Sequence, residues 1–378
     1  MKAIKVKIYP RKWQKELIEK HFGCCRFSYN YGLERKIKTY TETKKSVSFY
    51  AIQKEIPTLY SEKPWLKEIN SQSLQQSLKD LDSAFSHFFK KNNSFPKFKS
   101  KYNEKQSFRI PQHFEISKDK KSIKVPKLKW ITFRDKFNIP KDIEFRNITI
   151  SREGNEYFAS ICYDEKIEKP QLKPIQENKT IGIDLGVKTL ATLSDGTKID
   201  NPKHFKKYQD KLALEQQKLS KKTNRETNSY KKQKEKVRKV YKKVRNTRKD
   251  FLHKLTTNLT KNQSWTSFVM EDLAVKQTLQ DNSKPMSRLI GDAGWRMFRS
   301  LMEYKCIDKG KNFIAIGRYD PSSKTCSVCG NVYQELGRDE YEWICSSCNS
   351  KHDRDINAAK NIKNFGIIKA RASALVQT

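Results

Sequence analysis

Two cysteine pairs, Cys326-x-x-Cys329 and Cys345-x-x-Cys348, stand fifteen residues apart near one end of a 378-residue chain. Two C-x-x-C pairs at that spacing fit a tetrahedral four-thiolate Zn²⁺ site. Gly330 follows the first pair and Asn349 the second, and both residue types tolerate the left-handed backbone of a tight knuckle turn. A closed four-sulfur site has no open coordination position, so zinc here is expected to fold a small module and not to react. His352 lies close by and reads as a non-ligand, because four thiolates complete the shell. Cys24, Cys25, Cys162 and Cys306 are scattered. Cys24 and Cys25, adjacent on a helical pattern, point to different faces and read as small buried apolar residues.

The segments around the cysteines follow two different rhythms. At the start, Ala3–Tyr9 alternates like a strand and ends at Pro10. Helical spacing follows at Trp13, Leu17, Phe22 and Phe27–Tyr29, and again from Leu74 to Phe89, with polar, Lys-rich residues near 36–47 between them. Residues 108–165 read as short strands: Ile123–Val125, Trp130–Phe133, Ile143–Phe145, Ile148–Ile150 and Tyr157–Ile161, the last two joined across a Glu153-Gly154-Asn155 hairpin. Such spacing suggests a small barrel or sandwich, which the first strand would complete. A Pro-, Lys- and Glu-rich link at 166–178 separates residues 1–165 from 179–378.

The second half opens with the apolar strand Thr180–Gly186, then a hairpin turning at Asp195-Gly196. Asn201-Pro202 reads as a helix start, N-cap then N1 proline, of a basic helical pair near 201–222 and 227–262. A strand ending at Glu271, a helix around 286–309, a strand at Phe313–Ile316 and a last helix near Asp355 complete the pattern. A meander followed by alternating helices and strands predicts a mixed α/β sheet.

Composition narrows the partners. Lys and Arg number 79 against 42 Asp and Glu, a formal charge of +37. So large an excess self-repels, and a polyanion whose counterions are released on binding is the natural partner. Within residues 231–250 eleven Lys or Arg face two acids, around a stripe of Val237, Val240, Tyr241, Val244, Phe251 and Leu255. That face suits a phosphate backbone, with Arg238, Lys242 and Arg245 as candidate contacts. Ser94–Tyr102 interleaves Phe95 and Phe98 with Lys97 and Lys99, a mixture that can stack on bases while gripping phosphates; Phe95 and Phe98 could equally anchor a loop. The opening residues show no signal-peptide pattern and no run is apolar enough to span a membrane, so a cytoplasmic setting without membrane partners is expected.

Acids supply the chemistry. Asp184 ends an apolar strand beside Gly186, Glu271 ends a second, and Asp353 and Asp355 open the last helix. Strand alternation allows only one of Glu271 and Asp272 to face the reactive side of the sheet. Carboxylates converging from two strand ends and a helix make a hard-oxygen cage for Mg²⁺, and two such ions about 4 Å apart suit phosphodiester hydrolysis. No Ser/His/Asp or Cys/His nucleophile set and no phosphate-binding glycine loop is present, which argues against covalent and ATP-driven chemistry.

In these residues the chain resembles the TnpB family, transposon-encoded relatives of type V CRISPR effectors. The resemblance rests on Phe22–Asn30, Phe95-Pro96-Lys97-Phe98-Lys99, Gly182-Ile183-Asp184-Leu185-Gly186, Glu271-Asp272-Leu273, Pro321–Cys326 and Asp353–Ala359. It implies a β-barrel wedge domain with a helical insert (11–107), then an RNase H-like RuvC nuclease domain holding a zinc ribbon near 321–352. It implies a guide RNA, a double-stranded DNA target and a short motif beside that target, with Gln75 as a candidate adenine reader; a monomer is favoured. By motif position Asp184, Glu271 and Asp355 would be the Mg²⁺-binding triad, and Asp353 a capping or supporting residue. Two departures stand out: Ala274-Val275 follows Leu273 where the family often has Asn-Val, and no glycine occurs near Thr223–Asn228. A nuclease-silent RNA-guided repressor and a transposase acting on element ends are the alternatives to cleavage.

Overall fold

The computed structural model describes residues 2–103, 105–134, 143–165, 168, 170–273, 282–318, 320–337 and 340–375. The chain divides into two units, Met1–Ile167 and Glu168–Thr378. Among the described residues no helix is long and apolar enough to cross a membrane.

The first unit is a seven-stranded antiparallel sheet with helices on its inner face. The strands are β1 (Lys2–Tyr9), β2 (Lys105–Ile110), β3 (Glu115–Ile116), β4 (Ser122–Val125), β5 (Lys129–Arg134), β6 (Ile143–Glu153) and β7 (Glu156–Glu165), in the order β2-β6-β7-β1-β5-β4-β3. The first strand lies at the centre, paired with both β7 and β5. Ile143–Phe145 and Ile148–Ile150, expected as two strands, are one; a register shift between Phe145 and Asn147 interrupts the alternation without breaking the ladder. Helix α1 (Lys12–Thr43) runs unbroken for 32 residues, through the polar segment expected to separate two helices. Its inner face packs on the sheet side: Ile18, Phe22, Cys24, Cys25 and Leu33 are buried, whereas Trp13 stays exposed. Two short helices, α2 (Phe49–Lys54) and α3 (Ile56–Glu62), lead to α4 (Ser71–Phe89). Polar groups lock α1 down. Gln14 Nε2 donates to the carbonyls of Leu128 and Trp130 at 2.8 and 2.9 Å. His21 is fully buried, with Nδ1 2.7 Å from the Leu17 carbonyl, Nε2 3.3 Å from the Asn70 amide and its ring stacked on Phe108.

The second unit is built on a five-stranded sheet: β8 (Thr180–Leu185), β9 (Thr189–Leu193), β10 (Lys198–Asp200), β11 (Ser267–Glu271) and β12 (Asn312–Ile316), in the order β10-β9-β8-β11-β12. The first three form an antiparallel meander, and β11 and β12 are parallel to β8 and to each other. Parallel neighbours need crossovers, and helices supply them. The pair α5 (His204–Ser220) and α6 (Asn228–Lys261) precedes β11, and α7 (Lys284–Ala293) and α8 (Trp295–Asp308) precede β12. One helix was expected around 286–309. Gly294, at φ +71°, ends α7 in the left-handed conformation and splits it in two. Nor does Asn201-Pro202 start α5: Asn201 Nδ2 donates to the Val187 carbonyl, and the first turn is capped by the distant Asp292, whose Oδ2 accepts from the Phe205 amide at 2.7 Å. A small module follows β12, carrying the hairpin β13 (Glu342–Ile344) and β14 (Lys351–Asp353), and α9 (Arg354–Leu375) closes the unit.

Alternation along the central strands assigns their two faces. Ile181, Ile183, Phe268 and Met270 pack with Leu252, Phe298 and Met302 of α6 and α8. Val269 turns the other way, to Ile362 and Phe365 of α9. Lysines fasten α8 to α6: the Lys305 ammonium, buried, donates to the His253 carbonyl and to the hydroxyls of Thr256 and Thr257, each at 2.7 Å.

Candidate active site and metal centre

Glycine lets α9 lie directly on β8. A Cβ at Gly182 would come within 2.7 Å of the Lys363 amide nitrogen, and closer still to the Ala359 carbonyl oxygen; one at Gly366 would collide with Val269 of β11. Gly182 therefore faces α9, and by the two-residue repeat so does Asp184. On β11 Val269 faces α9, and so does Glu271. The register pairs Met270 with Ile183, so the next step sets Glu271 beside Asp184 at the carboxyl ends of adjacent parallel strands. Asp355 lies in the first turn of α9, one turn ahead of Ala359, where the helix meets the same face.

The electrostatics carry the mark of that convergence. Burial, then the negative charges of Glu271 and Asp355, push the Asp184 carboxyl up to about 8, against weaker opposition from Arg354 and the Leu185 amide. Burial raises Glu271 as well, partly offset by a hydrogen bond from the Ser322 hydroxyl, and Asp320 adds a like charge. The neighbouring acids have other partners. Asp272 pairs with Arg299. Asp353 is the N-cap of α9: its Oδ1 accepts from the Ile356 amide at 3.0 Å, and Oδ2 meets the Lys198 ammonium at 2.6 Å. Among the described residues the cysteine quartet is the one group of three or more His, Cys, Asp or Glu whose ligand atoms all lie within 4.8 Å of one another; the carboxylates act on Asp184 over a wider span.

In that quartet Cys326 Sγ lies 3.6 Å from Cys348 Sγ, and Cys329 Sγ 3.6 Å from Cys345 Sγ. A tetrahedron with Zn–S bonds of about 2.3 Å has edges of about 3.8 Å, so the donor set fits the ion. The two knuckles repeat one geometry. The Gly330 amide donates to Cys326 and the Asn349 amide to Cys345, both at 2.9 Å, with φ of +81° and +57°. His352 is buried beside them, its Nε2 3.1 Å from Cys326 Sγ and its ring over Trp343. Cys24, Cys25 and Cys306 are buried elsewhere, and burial pushes their thiols up to about 11, 12 and 12.

Sequence patterns did not single out Ser322, Asn357 or Asn361. Asn357 Nδ2 donates to the Thr325 carbonyl at 2.7 Å and its Oδ1 accepts from the Ser327 amide at 2.9 Å. Asn361 Nδ2 donates to the Ser322 carbonyl at 2.7 Å and to that of Thr325. Two asparagines four apart, on a helix otherwise apolar where it is buried, were the available signal.

The candidate nucleic-acid contacts are spread over both units. On the first, Gln75 and Lys97 are exposed. Lys99 is engaged within the fold: its ammonium stands 3.9 Å from the centre of the Tyr29 ring, and its backbone amide and carbonyl both bond the Asn30 side chain. Phe95 packs edge-on against Phe85 and Phe88 yet keeps 45% of its surface exposed, and Phe98 keeps 57%. On the second unit Val237, Val240 and Val244 bury the inner stripe of α6, and Tyr241, expected with them, is exposed and bonded to Gln216. Arg238 lies 3.8 Å from Glu235, Lys242 is half-buried and Arg245 is exposed. Ala274-Val275 lies outside the described residues.

Comparison with known proteins adds three family-model matches: "Probable transposase" over residues 160–281, "Cas12f1-like, TNB domain" over 295–362, and "Helix-turn-helix domain" over 1–45. The last name does not describe this chain, whose residues 12–43 form one helix. A Streptomyces pristinaespiralis protein named "Putative RNA-guided DNA endonuclease" is 33% identical over 370 residues, covering 97% of this chain and 89% of its own. An Escherichia coli K12 protein, "Putative RNA-guided DNA endonuclease InsQ", is 31% identical and covers 100% and 95%. Among solved structures, a chain of the "Cas12f1-sgRNA-target DNA complex" shares the fold at TM-score 0.58 and 15% identity, over 94% of this chain and 83% of that one.

Proposed function

This chain belongs to the TnpB family, and from that premise we propose that it is an RNA-guided DNA endonuclease whose RuvC-type centre is Asp184, Glu271 and Asp355. The observation that carries the reading is the placement of Asp184 and Glu271 at the ends of adjacent parallel strands, on the face where α9 begins with Asp355; the charges of Glu271 and Asp355 both act on the Asp184 carboxyl. Like charges gathered in a half-buried place are costly unless a cation shares them, so the donor set suits a hard divalent ion such as Mg²⁺. Bound there, such ions would supply Lewis-acid charge to a scissile phosphate and acidify a water molecule. The protein's own part is to hold three carboxylates at fixed positions, keep Asp272 and Asp353 in ion pairs of their own, and leave Asp184 partly accessible.

The four cysteines are read as a structural Zn²⁺ site, and the antiparallel sheet of the first unit, with its helices, as the wedge and its insert. Guide RNA and the target duplex would be held through the basic outer face of α6 (Arg238, Lys242, Arg245) and through Lys97, Lys99 and Gln75. Phosphate contacts of this kind weaken steeply with added salt.

The test is cleavage. The chain purified with its co-expressed RNA, given Mg²⁺ and a plasmid matching that RNA, is expected to cut. Asp184→Ala is expected to reduce the rate roughly a thousandfold, the equivalent of about 4 kcal/mol of lost transition-state stabilisation. Undiminished cutting by Asp184→Ala refutes the assignment, and tight binding without product favours a repressor.

A further inference from the structure

Ser322 lies between the sheet and the cysteine module, is buried, and donates its hydroxyl hydrogen to Oε1 of Glu271. Glu271 needs such a partner. It has one more side-chain torsion than an aspartate, sits at the last residue of its strand, and feels the like charge of Asp320. Left to itself, a long carboxylate in that position would sample several rotamers. The donor is itself fixed at its backbone. The Ser322 carbonyl accepts from Asn361, Asn361 and Asn357 both donate to the Thr325 carbonyl, and Asn357 also accepts from the Ser327 amide, on either side of Cys326. Both asparagines are buried, and they lie on α9, the helix that begins with Asp355.

We infer that Ser322 is a positioning residue for Glu271, and that the stem of the cysteine module acts through it to hold the β11 carboxylate in register with the one on α9. This rests on the reading of Glu271 as a ligand of the catalytic ion. Partners that orient a metal ligand carry a defined cost: their removal lowers metal affinity or activity about 10- to 100-fold while leaving the ligand in place.

The experiment uses the full-length chain with its co-purified RNA, as wild type, Ser322→Ala, Ser322→Thr and Asp184→Ala. It reads zinc content, thermal melting, Mn²⁺ binding by electron paramagnetic resonance, and plasmid cleavage as a function of Mg²⁺. Ser322→Ala is expected to keep its zinc, to melt within about 4 °C of wild type, to bind Mn²⁺ about tenfold more weakly and to cut about tenfold more slowly. Ser322→Thr, which keeps the hydroxyl, is expected to recover most of both losses. Wild-type Mn²⁺ affinity and cleavage in Ser322→Ala, with Asp184→Ala inactive, overturns the positioning role and leaves the nuclease reading standing. Loss of zinc together with activity, unrelieved by threonine, also overturns it, because that is the signature of a damaged module. Full cleavage by Asp184→Ala overturns the nuclease reading itself.

Discussion

Adding a single methyl group at Gly182 tests the geometry of the site without touching an acid. A Cβ there would stand 2.7 Å from the Lys363 amide nitrogen and 2.9 Å from the Lys363 Cβ, with the Ala359 carbonyl oxygen nearer still. Ordinary contact requires about 3.5 Å, so α9 must retreat from β8 by roughly 0.8 Å or more. The obstacles are backbone atoms of a helix, which cannot rotate aside. Overpacking of this kind costs about 1–3 kcal/mol, and the upper end is expected here. For a unit of this size that is a drop in melting temperature of roughly 6–12 °C. The catalytic effect is expected to be larger. Asp355 is one turn from Ala359 and moves with it, and a displacement near 1 Å at a reacting centre costs about a hundredfold in rate. Single-turnover plasmid cleavage and thermal melting of Gly182→Ala measure the two effects side by side. Gly366→Ala is the control: its Cβ would meet Val269, so it also destabilises, but three turns from Asp355 it is expected to spare most of the activity. Wild-type melting and cleavage in Gly182→Ala refute the claim that helix–strand contact at this glycine sets the carboxylates.

The two acids at the start of α9 are expected to separate cleanly by mutation. Asp353→Asn keeps an N-cap and loses one half-exposed ion pair with Lys198, so it should cost under about 1 kcal/mol and a few-fold in rate, whereas Asp355→Asn should cost a hundredfold or more; equal losses would contradict the assignment. Burial holds the His21 imidazole down to about 4, below its ordinary 6.5. The unfolded chain therefore binds the extra proton first as pH falls, and the stability due to the neutral ring, intact above 6.5, shrinks by about 3 kcal/mol on the way to 4. Urea unfolding of wild type against His21→Gln should show the wild-type advantage shrinking over that interval, and a constant advantage refutes it. Cys345→Ser should abolish the bound zinc, about one equivalent per chain, and open the knuckle amides of Gly330 and Asn349 to hydrogen exchange, with the sheet amides still protected; retained zinc would show that the quartet is not the site.

Local chemistry made some of this legible. The twin cysteine pairs and the Gly330 and Asn349 turns were readable because ligand spacing and left-handed backbone are properties of a few adjacent residues. Apolar strands carrying Asp184 next to the last residue and Glu271 at the last were readable for the same reason. What escaped was decided by distant partners. Nothing near Phe205 announces that α5 is capped by Asp292, eighty-seven residues on. The polar stretch after Lys36 gave no reason to continue α1, yet Lys36 is buried against the Val47 carbonyl and Asp82, and the helix runs on. Gly294 splits a periodic pattern that looked continuous, because one left-handed residue scarcely disturbs hydrophobic spacing. Ser322 belonged to a recognisable run, Pro321–Cys326, but its partner Glu271 is on a strand fifty-one residues earlier.

The position of the cysteine module in the chain follows from these contacts. It is inserted between β12 and α9. A loop would carry the chain across but would present no fixed hydroxyl to Glu271. The segment 321–327 is held at Cys326 by the knuckle, and along its length by Asn357 and Asn361 of α9. Those asparagines share a helix with Asp355 and with Gly366, and that helix is seated on Gly182. One helix is thus the common reference for Asp355 directly and for Glu271 through Ser322, while β8 supplies Asp184 from the strand on which the helix rests. Deleting the module is therefore expected to disturb the carboxylates even where the five-stranded sheet survives, because it removes the constraint on Glu271 that the strand alone does not impose.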